Sequence, residues 1–411
     1  MAVRTNHCSM DNRDPFRFEY DPGTITYGRD CVADLGAELG RQGLDRALVV
    51  CGRTVGSTPD VIDPVREGLG DRLVGVFDQT SPAKRLSTAF EGTERMRESD
   101  ADALVALGGG SSLDVAKVMS VAAASDREAI AAEFAETGTI PIPENDPTPV
   151  VAVPTTLAGA DLSILAGVTA APDSRLVDEP VGGGIADRRL MPAALFYDPA
   201  LFATTPRSIL AASAMNGFDK GIETLYARTT TPMTDATASR GLELLVEGLP
   251  TLAAEDPGDW DLPAILQGIV LVQYGISRPD GTTLSLIHAF GHGLTAHSEI
   301  QQGAAHAVVA PHALAALFEQ VDGRRRLLAA SLGVPTAGRS DDWIAERVVG
   351  TVADLRDDLD LPARLRDVPD VDRSTLASIA ETTAADSLLA NVPEGFEASE
   401  EQLRDVLDAA W

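Results

Sequence analysis

The sequence predicts two domains, an α/β N-terminal domain built on a doubly wound parallel sheet (1–193) and an all-α C-terminal domain (194–411). Three observations carry this. The chain has 411 residues, more than one hydrophobic core usually serves. Its first half alternates short apolar, β-branched runs with amphipathic stretches, and its second half shows long helical periodicity from about Ala194 onward.

The predicted strands are ALVVCG (47–52), RLVGVF (72–77), ALVALGGGS (103–111) and VVAVPTT (150–156). Each ends in Gly, Pro or polar residues, as strands buried on both faces of a parallel sheet do. Helical stretches such as AFEGTERMRES (89–99) and SSLDVAKVMSVAAA (111–124) lie between them. Strand character ends within ALFYDPALFATTP (194–206), and no further strand is expected. Beyond it, SILAASAMNGFDKGIETLYAR (208–228), SRGLELLVEGLPTLAAE (239–255) and RRRLLAASLGV (324–334) read as helices. No internal repeat or low-complexity linker separates the halves, so they are expected to pack around a cleft.

Composition narrows the class of function. Apolar residues make up 44% and charged residues 23%, ordinary values for a globular chain. No apolar run approaches the roughly 20 residues that cross a bilayer. The N-terminus, MAVRTNHCSMDNRDPFRFEY, lacks the apolar centre of a signal peptide, so a cytoplasmic location is expected. Cys8, Cys31 and Cys51 form no CxxC pair and no disulfide framework. A net charge of −29, dispersed over the chain, argues against nucleic-acid and anionic-membrane partners and points to a small-molecule substrate. Only three lysines occur, Lys84, Lys117 and Lys220. Dispersed acid with so little lysine suggests a salt-adapted (halophilic) source.

VALGGGSSLDVAK runs from a strand through Gly108, Gly109, Gly110 and Ser111 into a helix. Glycines let backbone N–H groups approach a pyrophosphate, and the helix start adds further donors. The loop lacks the GxGxxG and GK[ST] spacings, and a plain tight turn would also use glycine. VPTT (153–156) supplies a second strand end rich in hydroxyls, and ligands bind at the carboxyl edge of such sheets. Five of the six histidines, His288, His292, His297, His306 and His312, fall within 25 residues, a density that suggests metal binding or acid–base chemistry.

GGGSSLDVAK (108–117), VPTTLAGADLS (153–163) and HAFGHGLTAHSEIQQGAAHAVVAPHAL (288–314) together resemble the iron-containing, or group III, alcohol dehydrogenase superfamily. SAMNGFDKGIETLYA (213–227), YDPALFATTP (197–206) and HAVVAPHAL (306–314) place the likeness nearest its maleylacetate reductase branch. The resemblance spans nearly the whole chain. It implies a dehydroquinate-synthase-like fold, hydride transfer with NAD or NADP, and a homodimer or larger homo-oligomer. It implies cofactor binding by Gly108, Gly109, Gly110, Ser111, Asp114, Lys117, Thr155 and Thr156, with Gly52 and Arg53 at the ribose. Many family members carry aspartate at the position of Gly52. Its absence here, with Arg53 following, favours acceptance of the 2′-phosphate of NADP.

The family's metal is held by Asp and His four apart on one helix and by two later histidines. The resemblance places Asn216 and Lys220 at the first two positions, His288 at the third and Gln302 at the fourth. Neutral amides bind a divalent ion weakly and an ammonium repels it, so no metal is expected. Lys220 would then take over the metal's electrostatic role, with Asn216, His288, His292 and His306 as the remaining catalytic candidates and His292 or His306 as proton relay. His297 and His312 are weaker candidates. A salt bridge from Lys220 to Asp219 or Glu223 is the structural alternative. A shifted register would instead put Asp219, Glu223 and His288 around a metal. Arg207 and Arg228 are candidates for a substrate carboxylate. The expected function is a metal-independent NAD(P)H-dependent reductase or alcohol dehydrogenase acting on a small oxo-acid or aldehyde. A metal-dependent dehydrogenase with altered ligands, a cyclase or lyase of the dehydroquinate synthase type, and a non-catalytic binding protein are the other readings.

Overall fold

The structure, a computed structural model, describes residues 16–19, 22–278 and 281–411. Cys8 and most of the segment examined for a targeting signal lie outside them.

Six strands form one parallel sheet: β1 (Thr24–Tyr27), β2 (Ala47–Gly52), β3 (Leu73–Thr80), β4 (Ala103–Gly108), β5 (Val150–Pro154) and β8 (Ala194–Tyr197). The spatial order is β1-β8-β5-β4-β2-β3. A period of two sorts their side chains between two cores. Leu48, Val50, Leu104, Ala106, Val150 and Ala152 face one core, and Val49, Cys51, Val105, Leu107, Val151 and Val153 face the other. Burial on both sides explains why β2, β4 and β5 are continuously apolar. Between β5 and β8 an antiparallel hairpin, β6 (Leu165–Ala170) and β7 (Val181–Ala186), stands apart from the sheet.

The helices of this half are α1 (Leu35–Arg41), α2 (Arg53–Ser57), α3 (Pro59–Leu69), α4 (Leu86–Glu98), α5 (Gly110–Ala123) and α6 (Arg127–Thr137). The chain runs from β2 to its neighbour β3 on one side, then returns to β4 on the other. The order reverses between β2 and β4, so the crevice at their carboxyl ends, Gly52 and Gly108, is the natural ligand edge.

The predicted boundary at 193/194 needs correction. Ala194–Tyr197 pairs with both β1 and β5 and so belongs to the sheet of the first domain. The helical half begins after α7 (Pro199–Phe202), with α8 (Arg207–Tyr226). It continues through α9 (Pro232–Gly248), α10 (Leu262–Gln273), α11 (Leu286–His297), α12 (Gln302–Gln320), α13 (Arg325–Ser331), α14 (Asp341–Asp358), α15 (Leu376–Ala384) and α16 (Glu400–Ala409). One two-residue hairpin, Ser277–Arg278 with Gly281–Thr282, departs from the expected all-helical pattern. Among the described residues no helix is long and apolar enough to cross a membrane.

Helix α12 lies against α8 at Gly303, where a Cβ would stand 1.7 Å from the carbonyl oxygen of Ala212. Substitution Gly303→Ala is therefore expected to lower the urea midpoint, at a cost of about 1–3 kcal/mol. An unchanged midpoint would show that the two helices tolerate separation.

Candidate functional site

The loops after β4 and β5 meet at the carboxyl edge of the sheet. Gly108 has φ +124°, a conformation glycine adopts readily. A Cβ on Gly109 would lie 3.1 Å from the Thr156 side chain, and one on Gly110 would lie 3.2 Å from Ala160. Gly108, Gly109, Gly110, Thr156, Ala160 and Asp161 line a small cleft where α5 begins. Glycine backbone, a hydroxyl and a helix start fit a dinucleotide pyrophosphate. Ser111 lies partly exposed in the first turn of α5, and Thr155 is buried with its N–H on the Gly108 carbonyl at 3.0 Å. Beside the cleft, Gly52, Arg53, Thr54, Gln79, Thr80 and Ser81 border a cavity of about 500 Å³ at the ends of β2 and β3. Arg53 donates Nη2–H to Gln79 Oε1 at 2.7 Å.

At two of the expected cofactor-binding positions the side chains have partners within the domain. Asp114 is engaged by the Lys84 ammonium at 2.6 Å, a pairing internal to the domain. Lys117 is fully buried and donates to the carbonyls of Ser163 at 2.5 Å and Leu165 at 3.1 Å, so it holds the base of the β6–β7 hairpin. Burial brings its pKa down to about 8. Both residues sit one or two turns into α5, below the loop that faces the ligand.

Helix α8 brings the other half of the site against the loop after β5. The Leu157 N–H donates to Ser213 Oγ at 3.0 Å, and a Cβ on Gly217 would lie 2.4 Å from the Leu157 carbonyl oxygen. One turn on, Lys220 Nζ donates to the carbonyls of Ala158 at 2.8 Å and Gly159 at 3.2 Å, and to Gln273 Oε1 at 3.3 Å. Ser213, Gly217 and Lys220 are spaced i, i+4 and i+7, one face of the helix. The expected structural alternative, a Lys220 salt bridge to Asp219 or Glu223, is absent among the described residues, since only neutral oxygens bind the ammonium. Burial lowers its pKa to about 8, against the opposing pull of Asp161 and Glu223.

Asn216, Lys220 and Glu223 share the adjoining face of α8. Glu223 is buried, and burial raises its pKa to about 7. Burial likewise pushes the His288 imidazole well below its usual range. A neutral pair accounts for every contact. Protonated Glu223 Oε2 donates to His288 Nδ1 at 2.5 Å, and His288 Nε2–H donates to Asn216 Oδ1 at 3.2 Å. The His288 backbone N–H (3.0 Å) and the Tyr226 hydroxyl (3.3 Å) donate to Glu223 Oε1. This proton assignment rests on the burial of both groups, since an ion pair would make the same contacts.

The histidines do not form one cluster. His306 packs edge-on against His288 with ring centroids 4.3 Å apart, and its Nδ1 lies 3.6 Å from Asp219 Oδ2. Both side chains are fully buried without a hydrogen-bond partner, so His306 lies behind His288 and away from solvent. His292 points elsewhere, half exposed, with Nδ1 2.7 Å from Asp386 Oδ2. His297 bonds Thr382 Oγ1 at 2.8 Å. His312 is partly buried, and that burial lowers its pKa. Arg207 is engaged by the carbonyls of Leu252 and Asp358, which leaves it unsuited to a substrate carboxylate, and Arg228 is exposed. The sequence pattern missed Asp161, Tyr197 and Gln273. Tyr197 hydrogen-bonds the buried Asp161 carboxyl beneath the glycine cleft.

The donor set does not fit a divalent cation. Lys220 has no lone pair to offer when protonated, and both ring nitrogens of His288 are engaged. Asn216 and Gln302 are neutral amides. The shifted set fails as well, because both Glu223 oxygens are used and Asp219 faces His306. Among the described residues no three His, Cys, Asp or Glu side chains converge as metal ligands do.

A carboxyl whose folded pKa rises from 4.5 to about 7 contributes stability below 4.5 that is lost as pH rises through 7. Glu223→Gln keeps a donor for His288 Nδ1 and an acceptor for the backbone N–H but cannot ionise. The stability lost between pH 5 and pH 8, read by urea unfolding, should shrink by more than about 1 kcal/mol in this variant. An equal or larger loss would contradict the neutral pair.

Comparison with known proteins bears on the family and the fold. Residues 22–199 match the family model for iron-containing alcohol dehydrogenase, and residues 210–411 match that for the C-terminal domain of the Fe-containing alcohol dehydrogenase family. The NAD-dependent methanol dehydrogenase of Bacillus methanolicus is 29% identical over 80% of this chain and 83% of its own. Maleylacetate reductase of Pseudomonas aeruginosa is 28% identical over 77% of this chain and 80% of its own. The crystal structure of a 1,3-propanediol oxidoreductase superposes with a TM-score of 0.85 at 22% identity, covering 96% of this chain and 100% of that one. With its helical domain and a parallel-sheet domain that carries the glycine cleft, the chain belongs to the iron-containing alcohol dehydrogenase family and is an NAD(P)-dependent oxidoreductase acting on CH–OH groups.

Proposed function

We propose that the protein is a metal-independent NAD(P)H-dependent reductase of a small aldehyde or oxo-acid, with Lys220 in the place of the Lewis acid. The observation that carries this reading is the Lys220 ammonium itself. It is buried, at a position that the resemblance matches to one of the family's metal ligands, and is held only by carbonyl-type oxygens, of the kind a substrate would present. In a desolvated site a fixed positive charge stabilises a developing alkoxide far more than it would in water. The likeness to maleylacetate reductase supports an oxo-acid, and the likeness to methanol dehydrogenase supports a small alcohol or aldehyde.

In this reading the Gly108–Gly110 loop and Thr156 would hold the pyrophosphate of a reduced nicotinamide dinucleotide, which would supply the hydride when bound. Lys220 Nζ donates a hydrogen bond to the carbonyl oxygen, then its proton to the alkoxide. Asn216, its Oδ1 taken by His288, offers its N–H2 as a second donor. Glu223, Tyr226 and His288 hold Asn216 in place, and His306 backs His288. His292, turned toward Asp386, serves the surface of α11 rather than the proton path. Arg53 and its neutral partner Gln79 favour a 2′-phosphate, so NADPH is expected to be accepted. A preference for NADH above tenfold in kcat/KM would contradict that choice.

Lys220→Met should lower kcat for carbonyl reduction by about 10²–10³-fold, followed by the loss of reduced-nicotinamide absorbance, with cofactor affinity unchanged. Because the protonated form acts, the wild-type rate should fall as pH rises past about 8, and Lys220→Arg should move that limb upward. Near-normal turnover in Lys220→Met would remove Lys220 from the mechanism.

A further inference from the structure

An ammonium has three N–H bonds, and Lys220 uses all three on protein acceptors. A substrate oxygen can reach it only by displacing one of them. Two are backbone carbonyls of a loop pinned to α8 by Leu157 and Ser213. The third, Gln273 Oε1, is the longest at 3.3 Å and sits on a rotatable side chain at the last residue of α10. We propose that Gln273 is a displaceable cap on the Lys220 ammonium, holding the position that the substrate's reacting oxygen takes, and that it thereby weakens binding of the carbonyl substrate. This rests on the reading of Lys220 given above.

The amide is held in a half-satisfied pose. Lys220 fixes its orientation, since a flip would turn N–H2 toward an ammonium. Gln273 Nε2 is left buried without a partner. A buried unpaired donor costs free energy, which makes the resting position easier to leave. The loop is shaped to allow it. Gly159 has φ +68°, and a Cβ there would fall 2.0 Å from both Cδ and Nε2 of Gln273. No other residue would let the amide lie across the loop to reach Nζ. An amide oxygen is at least as good an acceptor as an aldehyde or ketone oxygen, so the exchange gains little in the ground state. An alkoxide is a far stronger acceptor, and the gain appears as charge develops. Bound substrate and transition state displace the cap alike, so its cost falls on KM and leaves kcat little changed.

The test is a split between KM and kcat for carbonyl reduction in the intact enzyme. Gln273→Met, nearly isosteric and unable to cap Lys220, should lower KM for the carbonyl about tenfold while kcat stays within about threefold and NADPH affinity is unchanged. Gln273→Asn, which keeps an amide but falls short of Nζ, should give the same fall and serves if the Met variant does not fold. Gln273→Glu places a carboxylate on the ammonium and should cut kcat/KM by more than about 100-fold. An unchanged or raised KM in both the Met and Asn variants overturns the cap. If Lys220→Met abolishes turnover while KM in the Gln273 variants does not fall, only the cap fails. If Lys220→Met retains turnover, the reading beneath it fails.

Discussion

A buried ammonium without a carboxylate partner must take its hydrogen bonds from neutral oxygens, and those oxygens must be held still for it. In this protein that requirement joins the two domains. Lys220 extends from α8 into the loop that follows β5, and the same loop forms one wall of the glycine cleft. The contacts that satisfy the charge therefore also fix the distance between the glycine cleft and α8. Ser213 and Gly217 extend the junction toward the start of α8, one by a hydrogen bond and one by leaving no side chain in the way.

Behind this junction lies a buried polar layer in which burial disfavours charge on both Glu223 and His288. Glu223 and His288 would each pay heavily for charge in this setting, and together they satisfy one another as uncharged groups. A neutral layer leaves Lys220 as the principal positive charge close to the cleft, opposed mainly by Asp161 beneath the glycine loop. In the proposed reading Lys220 acts without a metal, in keeping with a donor set of Asn216, Lys220, His288 and Gln302 that offers a divalent ion no favourable seat.

Much of this was legible in the sequence where one element carries the information. β2, β4 and β5 are apolar without interruption because both faces are buried, and the i, i+4, i+7 spacing of Asn216, Lys220 and Glu223 follows from one helix. The edge strand β1, TITY, was missed because its short alternating pattern resembles loop. The β6–β7 hairpin was missed because VGGGIA carries little side-chain signal. Ala194–Tyr197 was assigned to the wrong domain since strand pairing, not composition, places it between β1 and β5. Among site residues, Gln273 comes from an element distant in sequence with nothing in its local pattern to mark it, while Asp161 lies within VPTTLAGADLS and is singled out only by its buried hydrogen bond from Tyr197. Lys117 looked like a cofactor ligand because it closes the glycine motif, yet one more turn of α5 carries it beneath the hairpin.

The central claim is that an ammonium does the work of a metal ion, and the most direct measurement pairs metal content with activity in one preparation. Protein purified in high-salt buffer would be analysed for divalent metals and assayed for carbonyl reduction before and after exhaustive chelation. The account predicts well under one divalent ion per chain and the same turnover after chelation. A stoichiometric metal whose removal abolishes turnover, and whose return restores it, would contradict the account.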